Sequence, residues 1–120
     1  MENGRLAADE ERRAERANPV RDQSFALALR IVELRRSLME GQREFVLSKQ
    51  LLRSGTAVGA LVREAEQAES RADFTHKMAL ALKEVDESAY WLELLHGSGC
   101  IDATEFRSVH PQVIDLRRLC

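Results

Sequence analysis

Two glycines, Gly55 and Gly59, sit one turn apart in the middle of Leu51–Ala65, a segment whose apolar spacing is otherwise that of a helix. Each costs about 1 kcal/mol relative to alanine in a helix interior, so the pair needs a compensating contact. At this spacing both lie on one face. A face stripped of side chains lets a second helix approach closely, and the pair therefore predicts the tight crossing of a helical bundle. Ser54-Gly55-Thr56 and Gly55-x-x-x-Gly59-Ala60 superficially suggest a nucleophile elbow or a phosphate loop. Both need glycines at a strand-to-helix turn, whereas these fall inside a continuous helical repeat. The expectation is a joint where two backbones nearly touch.

Other properties agree with a helical reading. Aromatic residues are 5% of the chain and prolines number two, which leaves little material for strands. At 120 residues the chain fits one domain with a core that needs no metal or disulfide staple. The formal charge of -2 argues against a globally basic nucleic-acid binder, while leaving room for a local cationic face. Cys100 and Cys120 have no zinc-type spacing and fit a reduced, cytoplasmic chain. No apolar run reaches the eighteen residues of a membrane span, and no secretory leader is evident, so no membrane role is expected.

In chain order, residues 1–17 read as a charged, frayed or weakly helical tail. Asn18-Pro19 then supplies a helix start, and residues 18–120 form the bundle. The first helix, about 19–40, carries Leu27, Ile31, Leu34 and Leu38 at helical spacing, with Phe25, Ala28 and Val32 widening the face; Gly41 ends it. The second, about 44–68, has two seams. One runs through Leu47, Leu51, Ser54, Val58, Leu61, Ala65 and Ala68, the other through Phe45, Ser48, Leu52, Gly55, Gly59 and Val62. Two seams mean neighbours on two sides. Ser70 with Asp73 resembles a capping box and starts the third helix, about 71–96, with Phe74, Met78, Ala81, Val85, Ser88, Leu92 and Leu95 inward. Asp102 with Glu105 starts the fourth, about 102–119, which should cross Pro111 with a kink but without ending. Four such helices on short connections predict an all-α, antiparallel, up-and-down four-helix bundle.

Ser24-Phe25-Ala26, Ser48-Lys49-Gln50-Leu51-Leu52-Arg53-Ser54-Gly55-Thr56, Ala72-Asp73-Phe74, Ala79-Leu80-Ala81-Leu82-Lys83-Glu84 and Tyr90-Trp91-Leu92 carry a resemblance to a known family. Across Asn18–Leu95 the chain resembles the bacterial four helix bundle proteins, some of which are encoded within intervening sequences of 23S ribosomal RNA genes. The resemblance implies a bundle that forms ring-shaped homo-oligomers, usually pentamers, in a family for which no enzymatic activity is established and whose function is largely unknown. More distantly the chain is similar to accessory bundle proteins that work with a reverse transcriptase and bind nucleic acid. It departs from the family where Leu61-Val62-Arg63 follows Gly59-Ala60.

Catalytic constellations are scarce. A di-iron bundle needs Glu-x-x-His on two helices and a Glu from each of the others. Glu93 and His96 have that spacing and Asp73 and His76 imitate it, but both pairs sit on the third helix, about 30 Å apart. No metal or cofactor is expected, and no enzyme. What remains is a polar set: Lys49, Arg53 and Arg63 on the second helix, and Lys83, Glu84 and Glu87 on the third. They either pair across helices or subunits and set register, or repeat around an oligomer and grip RNA or DNA phosphates. Trp91 beside Tyr90 is a candidate subunit anchor or an ordinary packing residue. The expected role is a self-assembling scaffold or adaptor that binds nucleic acid or a nucleic-acid-acting partner. The other reading is a structural protein with no partner but itself.

Overall fold

The computed structural model describes Glu2–Cys120, with side chains from Pro19 onward. Among these residues there are four α-helices and no strand: α1 (Glu2–Ser37), α2 (Val46–Glu66), α3 (Arg71–Gly97) and α4 (Ala103–Leu119). Each packs on its chain neighbours, and α1 also meets α4, so the helices close into a square in the order α1, α2, α3, α4. Neighbours run antiparallel. Ser54 lies opposite Ser88 while Glu64, further along α2, reaches back to Lys77 at 3.9 Å. The fold is the expected up-and-down bundle.

The start of α1 differs from the Asn18-Pro19 signal, for the backbone is helical from Glu2 and carries Pro19 inside it. The stretch Leu6–Ala17 is almost entirely Ala, Glu and Arg, all strong helix formers, so a proline that would otherwise mark a first turn is spanned. At the other end of α1, Gly41 is not the terminator. The helix widens into a π turn over Leu38–Gln42, and Arg43 takes the left-handed conformation at φ 54°. The Leu38 carbonyl accepts the Arg43 N–H and, at 3.0 Å, the Glu44 N–H. Glu44 then opens α2: its carboxylate accepts from the N–H groups of Val46, Leu47 and Ser48 at 2.8–3.1 Å. Burial opposes its ionisation, but the Leu47 and Ser48 bonds outweigh that and hold its pKa below the ordinary value.

The other boundaries follow local chemistry. Ser70 accepts the Asp73 N–H at 3.0 Å, but Asp73 answers the Glu69 N–H at 3.4 Å, not that of Ser70. At α4 both halves of the box form between Asp102 and Glu105. Gly99, at φ 83°, turns the chain out of α3. Pro111 sits within α4, which continues to Leu119.

Leu27, Ile31, Leu51, Val58, Val85, Leu92, Val113 and Leu116 are fully buried in one core, as their spacing predicts. Three aromatic residues assigned to inward faces are not. Phe25 is 52% exposed, Phe45 47% and Phe74 45%. Phe45 and Phe74 lie at helix starts, where the bundle ends, and Phe25 stands at the edge of its stripe. Among the described residues no helix is long and apolar enough to cross a membrane.

Candidate interaction surface

The two glycines of α2 face α1, and they do different things. A side chain at Gly55 would overlap the tip of Ile31, whose Cγ2 would stand 3.3 Å from the new carbon. Gly55 is thus a socket for a buried isoleucine, where the sequence had suggested backbone against backbone. At Gly59 the expectation holds: the position of a Cβ is 3.6 Å from Ser24 Oγ and 3.8 Å from the Ser24 carbonyl oxygen. Ser24 is itself buried, with its hydroxyl donating to the Arg21 carbonyl at 2.9 Å. Small residue meets small residue, and the helices close up.

On the α3 side the seam is polar. Ser54 and Ser88 are fully buried, their hydroxyls 3.0 Å apart, and each also reaches a carbonyl of its own helix. That leaves neither hydroxyl stranded in the core. Outside this layer Arg53 bridges Glu84, at 3.5 Å, and Glu87. Trp91 Nε1 donates to the same Glu87 oxygen at 3.1 Å. The Arg53 hydrogen bond first, then that of Trp91, holds the Glu87 carboxyl below its ordinary range, and Glu87 in turn raises Arg53. The second Glu84 oxygen is buried without a partner.

Of the polar set read from the sequence, the structure therefore gathers Arg53, Glu84, Glu87 and Trp91 into one cluster. Lys49 and Lys83 are exposed and, among the described residues, make no ion pair. Arg63 stands apart, with its guanidinium 5.6 Å from the centre of the Phe25 ring. Trp91 is half-buried and packs on the core, and its ring lies 5.1 Å from that of Tyr90.

Two of the histidines stack on one aromatic ring. Phe106 is sandwiched between His96 and His110, with both ring separations 4.5 Å. Asp73 caps α3. Among the described residues no group of three or more His, Cys, Asp or Glu side chains is placed to hold a metal. Cys100 and Cys120 are free thiols, and burial raises the pKa of Cys120.

Sequence reasoning missed a groove of about 510 Å³ between α1 and α4, lined by Gln23, Ala26, Leu29, Arg30 and Glu33 on one side and Gln112 and Asp115 on the other. Leu29 is 50% exposed there. The signal was present, since Leu29 falls outside the inward stripe of α1 and has no polar reason to be on the surface. The His96–Phe106–His110 stack was also missed, although Phe106 and His110 share a face at a spacing of four.

The sequence profile of the proteins described as 23S rRNA-intervening sequence protein matches residues 16–120. A solved crystal structure is similar: a protein of unknown function from the S23 ribosomal protein family of Bacteroides thetaiotaomicron, 48% identical, aligned over 87% of this chain and 93% of that one, with a TM-score of 0.85. No curated protein matches the chain. The match spans nearly all of the bundle, and the chain belongs to the 23S rRNA-intervening sequence protein family.

Proposed function

We propose that the protein acts without catalysis, as a homo-oligomeric bundle whose assembled surface serves as a scaffold or adaptor for nucleic acid or a nucleic-acid-acting partner. One observation carries the reading. The core is complete, yet Phe25, Leu29, Val46 and Tyr90 are each half or more exposed, with Val46 at 72%. Apolar groups in that number on the outside of a small bundle favour burial against another surface. The subunit number implied by the resemblance is five. Light scattering tests the assembly: a mass near five times 13.6 kDa is the expected result, and a mass of one chain at all concentrations overturns it.

For the ligand, the family's description makes RNA the first nucleic acid to try. Within the polar set read from the sequence, Lys49, Lys83 and Arg63 have no ion pair among the described residues, whereas Arg53 is matched by Glu84 and Glu87. Filter binding at two salt concentrations should show affinity that falls with salt and falls further in Lys49→Glu/Lys83→Glu. The neutralisation of Arg53 also favours a second reading, a structural protein that binds only itself. Intact assembly with no RNA or DNA retained at low salt would select that one.

A further inference from the structure

Resting on the adaptor reading above, we infer that the outer side of the α1–α2 seam is a docking site for an acidic amphipathic helix of a partner protein. Apolar residues run along this wall at sevenfold spacing: Phe25, Val32 and Met39 from α1 into its π turn, Phe45 and Leu52 at the start of α2. Arg63 reaches across the seam to the Phe25 ring at 5.6 Å and Arg21 to Glu66 at 3.8 Å, which marks the side of each helix that looks outward here. Phe25 and Phe45 are about half exposed, and Val32, Met39 and Leu52 are half-buried. Because the helices close in the order α1, α2, α3, α4, the other two helices lie behind this wall, and among the described residues none covers it.

The charges say what kind of helix fits. Arg21, Arg35, Arg36, Lys49 and Arg63 stand along the two edges of the wall against one acid, Glu66, which Arg21 engages; the remaining cations have no ion pair among the described residues. Every neighbouring acid is engaged elsewhere or turned away. Glu44 gives its carboxylate to the first N–H groups of α2, and Glu64 reaches Lys77 on α3. Glu33 pairs with Arg30 in the α1–α4 groove, and Asp22 falls on the same stripe as Ala26, Leu29 and Glu33, which line that groove. Glu40, in the π turn, is offset in charge by Arg43 of the same connection. An apolar midline with cationic edges complements a helix whose apolar stripe is flanked by Asp or Glu. From Phe45 to Arg63 the wall is about 27 Å long, the length of a helix of about 18 residues. Nucleic acid would engage the cations but set Val32, Met39 and Leu52 against sugar and phosphate. A second copy offers no acidic stripe among the described residues, since its other walls carry paired charges: Arg53 with Glu84 and Glu87, Asp86 with Arg117, Arg30 with Glu33.

The test uses the full chain and a labelled synthetic peptide of about 18 residues, with leucines at helical spacing and glutamates beside them, followed by fluorescence anisotropy. The peptide should bind, and a copy with lysine in place of each glutamate should bind about tenfold more weakly or worse. Val32→Glu, in the midline, and Arg63→Glu, at the exposed edge, should each weaken the acidic peptide by about tenfold, whereas Arg107→Glu, the same charge change on the surface of α4, should leave it unaltered. Circular dichroism and light scattering should show the wild-type fold and mass in all three variants. An acidic peptide that does not bind, or that binds no better than its lysine copy, overturns the docking site. Variants that lose the wild-type mass assign the wall to a contact between copies, and variants that weaken single-stranded RNA but not the peptide assign it to nucleic acid; either result overturns the proposal. Failure of the peptide leaves the assembly and RNA measurements above untouched, so it is distinguishable from failure of the broader reading.

Discussion

The two sides of α2 contrast. Toward α1 the seam is a matter of volume, with Gly55 hollowed to take Ile31 and Gly59 laid against Ser24. Toward α3 it is a matter of polarity: a buried Ser54–Ser88 layer lies under the surface cluster of Arg53, Glu84, Glu87 and Trp91. A volume seam sets how closely two helices lie and is punished steeply when overfilled. A polar layer adds little net stability but penalises any sliding that separates its partners, so it sets register. One helix reads distance on one side and alignment on the other.

The largest effect should come from filling the socket. Gly55→Leu pushes a full side chain into space that Ile31 occupies and should cost about 3 kcal/mol in chemical denaturation. A cost under about 1 kcal/mol would mean the α1–α2 seam is loose. On the polar side, Ser54→Ala and Ser88→Ala should each cost about 1 kcal/mol, and the double variant less than the two together, because removing one hydroxyl leaves the other with only its own helix. Strict additivity would show that the layer is two independent serines. Gly59→Ala should do the opposite of a change at Gly55 and stabilise by about 0.5–1 kcal/mol, since the added methyl meets Ser24 only at ordinary contact distance and alanine is the better helix former. Loss of stability there would place α1 closer than described.

The smallest effect concerns Glu87. Its native carboxyl titrates below the ordinary value of 4.5, so what it contributes is complete above about pH 4.5 and vanishes as the pH falls through the lower native value. Arg53 is 51% exposed and Glu87 33%, so screening holds the pair under about 1 kcal/mol. Trp91 fluorescence should change over the same acid window and lose that step in Glu87→Gln. An unaltered step would assign it to another carboxylate.

Much of this architecture is legible in the chain itself because helical periodicity and capping are local. The inward stripe of α1, both seams of α2 and the Asp102–Glu105 box need only the residues within a turn or two. What was not legible depends on neighbours. Periodicity places Phe25 beside the core but cannot say that no helix covers that edge, and it cannot see that Phe45 and Phe74 lie where the bundle runs out. The π turn was hidden because Gly41 is the better local terminator, and packing of Leu38 carries the helix past it to Arg43. At the candidate surface the charges of Arg53 and Glu87 suggested pairing, while Lys49 and Lys83 have the same charge pattern and no ion pair among the described residues. The groove around Leu29 lies between two helices distant in sequence, so Leu29 standing outside the α1 stripe hints at it but no single stretch shows its second wall.

The fit of Ile31 into the hollow at Gly55 ties together two positions that lie on different helices. Across relatives of this chain, a methyl gained at the second site should travel with a trimmed residue at the first, so the two columns of an alignment would drift in step although neither residue touches a ligand. Where both vary freely, the helices must have moved apart.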